Sequence, residues 1–150
     1  MMARLSTDAA RLNTMPKTSA TNTPFHIVFG GDSYLNEQTV RDQCVAAQRK
    51  YHDAELIELD AMGADHYAFD KAVSPSLLSD RAIVKIVNLQ GAYEKLGDAM
   101  VEYCRQACKD PTDCSIVICR HEGGVKGKRL VDQLTKAGAD KQVVPDLKKA

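Results

Sequence analysis

Residues that could do chemistry are few in this chain, and the most suggestive of them form a turn. Phe29-Gly30-Gly31-Asp32-Ser33 follows an apolar run and precedes a helical pattern. In α/β folds that is where phosphate groups are held. A phosphate-binding loop, however, ends in Gly-Lys-Ser/Thr, because the lysine reaches the outer phosphates and the hydroxyl holds Mg²⁺. Here the next lysine after Gly31 is Lys50, and the dinucleotide fingerprint GxGxxG is absent as well. Two glycines suit any tight strand-to-helix reversal, and Asp32 and Ser33 both suit a helix N-cap. The bottom-up reading is therefore a structural turn. Its alternative is a small nucleotide-binding, Rossmann-like enzyme using Gly30–Ser33, with Asp32 or His121 in its chemistry.

The other candidates are thinner. His121-Glu122 follows Arg120 at the end of an apolar run and offers an acid–base pair. Of the four histidines, only this one is expected at the end of a central strand. No Gly-x-Ser-x-Gly nucleophile elbow is present. Lys126, Lys128 and Arg129 open the last helical pattern, where a cation opposes the helix dipole; either a phosphate contact or a solvated helix start accounts for them. The five cysteines lack the C-x2-C spacing of a zinc site. Cys104 and Cys108 are expected one turn apart on a helix. Cys114 and Cys119 are expected at opposite parity on a strand, pointing to opposite faces. Buried reduced thiols are the expectation, with no metal, no cofactor and a cytoplasmic setting.

The elements that would position these residues follow from periodicity. Strands are expected at Phe25–Phe29, Ala54–Asp60, Ala82–Val87, Cys114–Cys119 and Gln142–Val144. CSIVIC is apolar on both parities, as a strand covered on both faces must be. The second run is more polar, so it lies nearer an edge. Helices are expected over Leu35–Lys50, with Val40, Cys44 and Ala47 inward; over Asp65–Val73, with Tyr67, Phe69 and Val73 inward; and over Ala92–Cys108, with Tyr93, Leu96, Met100, Cys104 and Ala107 inward. A last helix is expected over Lys126–Lys136, with Leu130, Val131 and Leu134 inward and Gly138 as its cap. Strands alternating with helices define an α/β three-layer αβα sandwich around a mostly parallel five-stranded sheet. Residues 1–23, rich in Ser, Thr, Ala and Asn, read as a flexible tail before one domain spanning 24–150.

Composition narrows the function classes. Twenty Lys plus Arg balance twenty Asp plus Glu in 150 residues, so no general electrostatic nucleic-acid surface is expected. No apolar run approaches the roughly 20 residues of a membrane span. Leu77-Leu78 fall in a loop between Pro75 and Asp80-Arg81, either tucked inward as an anchor or projecting as a binding plug.

The segments PFHIVFGGDSYLNEQTVRD, PSLLSDRAIVKIVNL and CSIVICRHEGGVKGKRLVDQLTKAGAD, in that order and spacing, resemble the N-terminal domain of the delta subunit of the bacterial DNA polymerase III clamp loader. The resemblance runs from about Pro24 onward. It implies an AAA+-like, P-loop NTPase-type fold without a Walker A motif, and hence no ATP hydrolysis. That family inserts a Ser-Leu-Phe loop into a pocket of the sliding clamp, the beta subunit, and helps open the ring for DNA replication. The matching residues are Ser76, Leu77 and Leu78, with Leu78 in place of the usual phenylalanine. Burying both leucines would contribute about 3–6 kcal/mol before ordering costs, at about 1.5–3 kcal/mol each. Partners implied are the clamp and, through lid and collar domains expected to be missing here, the other loader subunits; DNA is reached indirectly through the complex. A protein-interaction domain of the same fold with an unrelated partner is the third reading.

Overall fold

A computed structural model describes residues 23–74, 81–111 and 114–146. Among them the chain alternates β1 (Phe25–Phe29), α1 (Ser33–Lys50), β2 (Glu55–Asp60), α2 (His66–Val73), β3 (Ala82–Val87), α3 (Glu94–Lys109), β4 (Ile116–His121), α4 (Lys128–Ala137) and β5 (Asp140–Val143). A short 3₁₀ turn, Leu89–Gly91, links β3 to α3. The sheet is wholly parallel in the order β2-β3-β4-β1-β5.

That order fixes the layers. From β1 the chain moves past β4 and β3 to reach β2, whereas the three later crossovers all move the opposite way. Right-handed crossovers in opposite directions lie on opposite faces. Accordingly, among the described residues, α1 alone covers one face, packing Val40 and Cys44 on Val28, Ile83 and Ile118. Helices α2, α3 and α4 cover the other, where Phe69, Leu96, Met100, Val131 and Leu134 meet Phe25, Ile27, Val84, Ile86, Val117 and Cys119. Strands β1, β3 and β4 are buried on both parities, which is why their sequences are continuous apolar runs rather than alternating ones. The polar β2 is an edge strand, as its composition implies.

Several boundaries and faces differ from the sequence expectation. Strand β4 starts at Ile116, not Cys114, because Ser115 turns its hydroxyl to backbone groups of a neighbouring connection and Cys114 bonds back to the Asp110 carbonyl. The parity contrast between Cys114 and Cys119 therefore does not arise. Tyr67 does not face the core: it is 71% exposed, while Phe69 and Ala72 carry the α2 seam. Tyr93 is likewise exposed, standing at the N-cap of α3. The last helix begins at Lys128 rather than Lys126, after Gly127 in a left-handed conformation, and β5 runs Asp140–Val143, two residues earlier than the Gln142 start. No helix among the described residues is long and apolar enough to cross a membrane.

Candidate functional site

The crossovers from β1 and β4 diverge, so a crevice would open beyond the C-terminal ends of these two strands. The Gly30–Ser33 turn stands there and is closed. Gly30 and Gly31 both have positive φ, 69° and 77°. A side chain at Gly31 would run into the Val144 carbonyl, and the Asp32 N–H donates to the Pro145 carbonyl at 2.9 Å. The segment that follows β5 thus lies across the turn. From the other side Gly123 packs against Gly30, with a built Cβ only 3.1 Å from the Gly30 Cα.

Helix α1 brings no vacant anion cradle to this place. Asp32 caps the helix, its carboxylate accepting from the Leu35 N–H at 3.1 Å. That carboxylate already supplies negative charge to the positive end of the dipole, and a phosphate placed there would meet it. One turn further on, Asn36 is buried, and its Nδ2 donates to the carbonyls of Gly30 at 2.9 Å and His121 at 3.1 Å. Its Oδ1 accepts from Arg120 Nε at 2.8 Å, and Arg120 Nη2 reaches the Ser33 carbonyl and hydroxyl. Asn36 escapes a sequence reading because a polar residue near the start of a helix is ordinarily a solvated one, and Arg120 because a charged residue after an apolar run ordinarily marks the end of the strand.

His121 is not an exposed acid–base group beyond the strand. It is the last residue of β4, fully buried and stacked on Phe29 with ring centroids 4.6 Å apart. Its Nε2 lies 2.8 Å from the Lys126 carbonyl, and its Nδ1 accepts from the Gly123 N–H at 2.9 Å. A carbonyl can only accept and an N–H can only donate, so the ring is neutral and protonated on Nε2. Burial lowers its pKa, opposed by the Lys126 hydrogen bond. Both nitrogens are occupied in holding the β4–α4 connection. Glu122 is exposed, its N–H bonded to Gln90 Oε1. Lys126, Lys128 and Arg129 are exposed on the same connection and on the first turn of α4.

The cysteines form no disulfide. Cys104 and Cys108 sulfurs are 4.0 Å apart on α3, as their spacing requires. Burial, together with neighbouring Cys108, pushes the Cys104 thiol up to about 12, and burial raises Cys119 well above its ordinary range. Neither is a thiolate near neutral pH, so neither is a ready nucleophile or metal ligand. Among the described residues no group of three or more His, Cys, Asp or Glu side chains could hold a metal.

Ser76, Leu77 and Leu78 lie outside the described residues. The two ends of their connection are described, and they are pinned by one hydroxyl. Ser115, 2% exposed, donates from Oγ to the Val73 carbonyl and accepts from the Ala82 N–H, both at 3.0 Å. Tyr103 secures Ser115 in turn, its hydroxyl donating to the Ser115 carbonyl at 2.7 Å. Beside them the Arg81 guanidinium stacks 4.0 Å over the Tyr51 ring. This connection emerges at the N-terminal ends of the strands, opposite the Gly30–Ser33 turn. Within the apolar run CSIVIC the only sequence signal of Ser115 is that of a lone polar residue at the entrance of a central strand.

These features place the chain in a structural class: a three-layer α/β sandwich with a five-stranded parallel sheet, AAA+-like in its layout and with its first strand–helix turn closed. Among solved structures it is similar to the Bacillus subtilis DNA clamp loader delta protein (YqeN), with a TM-score of 0.55 and 19% sequence identity over 80% of this chain and 38% of that one. At that identity the likeness is one of fold. No protein-family model matches the chain, and a search of curated proteins finds no match.

Proposed function

We propose that this chain is a non-hydrolysing clamp-loader module of the delta type, which binds the sliding clamp of DNA polymerase III in the cytoplasm and helps open it. The observation that carries the reading is a clamp-loader-like fold whose phosphate-loop position is closed by Val144 and Pro145 and capped by Asp32. Such a molecule works by surface contact, not by turnover. The contact is assigned to Ser76, Leu77 and Leu78, on the connection whose ends Ser115 ties together. Two leucines entering an apolar pocket would form a hot spot of about 3–6 kcal/mol before ordering costs.

Fixed ends favour such a contact, because a loop anchored at both termini has less conformational freedom to lose on binding. Arg81, stacked on Tyr51, adds a positive charge at the same rim. The test is equilibrium binding of the 150-residue chain to purified sliding clamp with and without ATP and Mg²⁺. The expected result is clamp binding indifferent to nucleotide, with no uptake of ATP by the chain alone. Saturable ATP binding that is lost on Asp32→Ala would instead support the nucleotide-enzyme alternative.

A further inference from the structure

Six of the eight large apolar side chains exposed on the described surface sit at one end of the molecule, at or beyond the C-terminal ends of the strands: Tyr34, Met62, Tyr67, Tyr93, Val125 and Val143. Single exposed apolar residues are ordinary, whereas their concentration on one end marks a contact surface. None of them belongs to the closed turn network or to the loop pinned by Ser115.

Charge is divided across the same end. One corner, formed by the β2–α2 connection and the start of α3, carries Met62, Tyr67 and Tyr93 among the exposed carboxylates of Asp60, Asp65 and Glu94, with Lys95 the one neighbouring cation in these segments. Hydrogen bonds from Asn88 and the Met62 N–H hold the Asp60 carboxyl below its usual range. The corner is preorganised: Tyr93 Oη meets the His66 N–H at 3.1 Å and Nδ1 at 3.0 Å, and the His66 and Tyr67 rings lie 4.0 Å apart. The opposite corner, the β4–α4 connection, presents Val125 at 86% exposure with Lys126, Lys128 and Arg129, against Glu122. The Leu89–Gly91 turn separates the two, with Met62 packed over Gly91 on one side and Gly127 packed on Gln90 on the other.

We propose that two copies of this chain pair through this end, about a two-fold axis passing near the Leu89–Gly91 turn. A two-fold axis exchanges the corners, so the acidic, aromatic corner of each copy faces the basic corner of the other, twice over. Val125 then packs among Met62, Tyr67 and Tyr93, and the lysines and arginine meet the carboxylates and tyrosine faces. With formal charge zero, no net repulsion opposes the approach. The proposal does not rest on clamp binding, since the loop carrying Leu77 and Leu78 is anchored at the opposite end of the sheet.

Sedimentation velocity of the 150-residue chain over a concentration series tests it. Wild type is expected to form a discrete dimer that weakens with added salt. Lys128→Glu/Arg129→Glu and Asp65→Asn/Glu94→Lys (the asparagine keeps the α2 cap) should each dimerise at least about tenfold more weakly. An equimolar mixture of the two should recover association, because both corners are then complementary again. Val125→Asp, at a position exposed in the single chain, should weaken the dimer to a similar degree without disturbing the fold. A chain monomeric at every concentration would overturn the proposal. So would a dimer indifferent to both charge reversals, or a mixture that associates no better than its components.

Discussion

Replacing Ser115 by alanine removes one small hydroxyl and should loosen a whole connection. The Oγ bridges the Val73 carbonyl and the Ala82 N–H at 3.0 Å each. Ala82 is 6% exposed, so its N–H has little access to water once the hydroxyl is gone. An unsatisfied buried backbone group costs about 1–3 kcal/mol, and the half-buried Val73 carbonyl adds less because solvent can reach it. The sum is about 2–3 kcal/mol, a sizeable part of the 5–15 kcal/mol, roughly, that a domain has. Urea denaturation followed by circular dichroism should show a lower midpoint with an unchanged slope. Clamp affinity should fall severalfold under conditions where the variant remains folded, because the loop ends are no longer tied. Tyr103→Phe, which removes the bond to the Ser115 carbonyl and the hydroxyl's contact with Cys114, should cost about 0.5–1.5 kcal/mol. A Ser115→Ala variant within about 0.5 kcal/mol of wild type would refute the reasoning, because the two backbone groups would then have found other partners.

Other expectations follow from the closed turn and the buried histidine. His121 has a folded pKa below its ordinary 6.5, so the unfolded chain takes up the proton first. Its contribution to stability is full above that value and declines as pH falls from it toward the folded pKa. His26, also lowered by burial but opposed by Asp140, adds in the same direction. Denaturation midpoints measured between about pH 8 and about pH 5 should therefore fall on the acid side, and His121→Gln should be less stable but show a flatter acid-side decline. Gly31→Ala should destabilise by at least about 1–3 kcal/mol, from the positive φ of 77° with the Val144 carbonyl beside it; a neutral substitution would mean the turn is open. Asn36→Ala takes the donor from the Gly30 carbonyl and one of two donors from the His121 carbonyl, which keeps the Gly30 N–H, and should cost about 1–3 kcal/mol by thermal denaturation, with loss of Arg120 placement.

How far the sequence carried these conclusions varied with the kind of signal. β1 and β3 emerged with their observed bounds because each is an apolar run abruptly broken, by Gly30-Gly31 and by Asn88. β4 was displaced by two residues because Arg120 and His121 do not look like strand interior. Arg120 reaches Asn36 and Ser33, and His121 satisfies both ring nitrogens locally, so neither polar group is left without partners. Apolar periodicity alone points Tyr67 and Tyr93 inward, yet each amphipathic ring stands at a helix start on the exposed edge. The order β2-β3-β4-β1-β5 was not legible, since periodicity says which residues are buried and nothing about which strand lies beside which. The turn without phosphate machinery was legible from the missing lysine; its closure by Val144 and Pro145 was not, because that contact joins residues more than a hundred positions apart.

Titration of the chain into purified sliding clamp, wild type beside Leu77→Ala/Leu78→Ala, bears most directly on clamp binding. The double variant should keep the wild-type circular dichroism spectrum. Micromolar or tighter binding by wild type is expected, weakened by about 10²–10⁴ in the variant if both leucines are buried in the complex. A folded wild-type chain that does not bind, or one whose binding is unchanged by the double substitution, would contradict it.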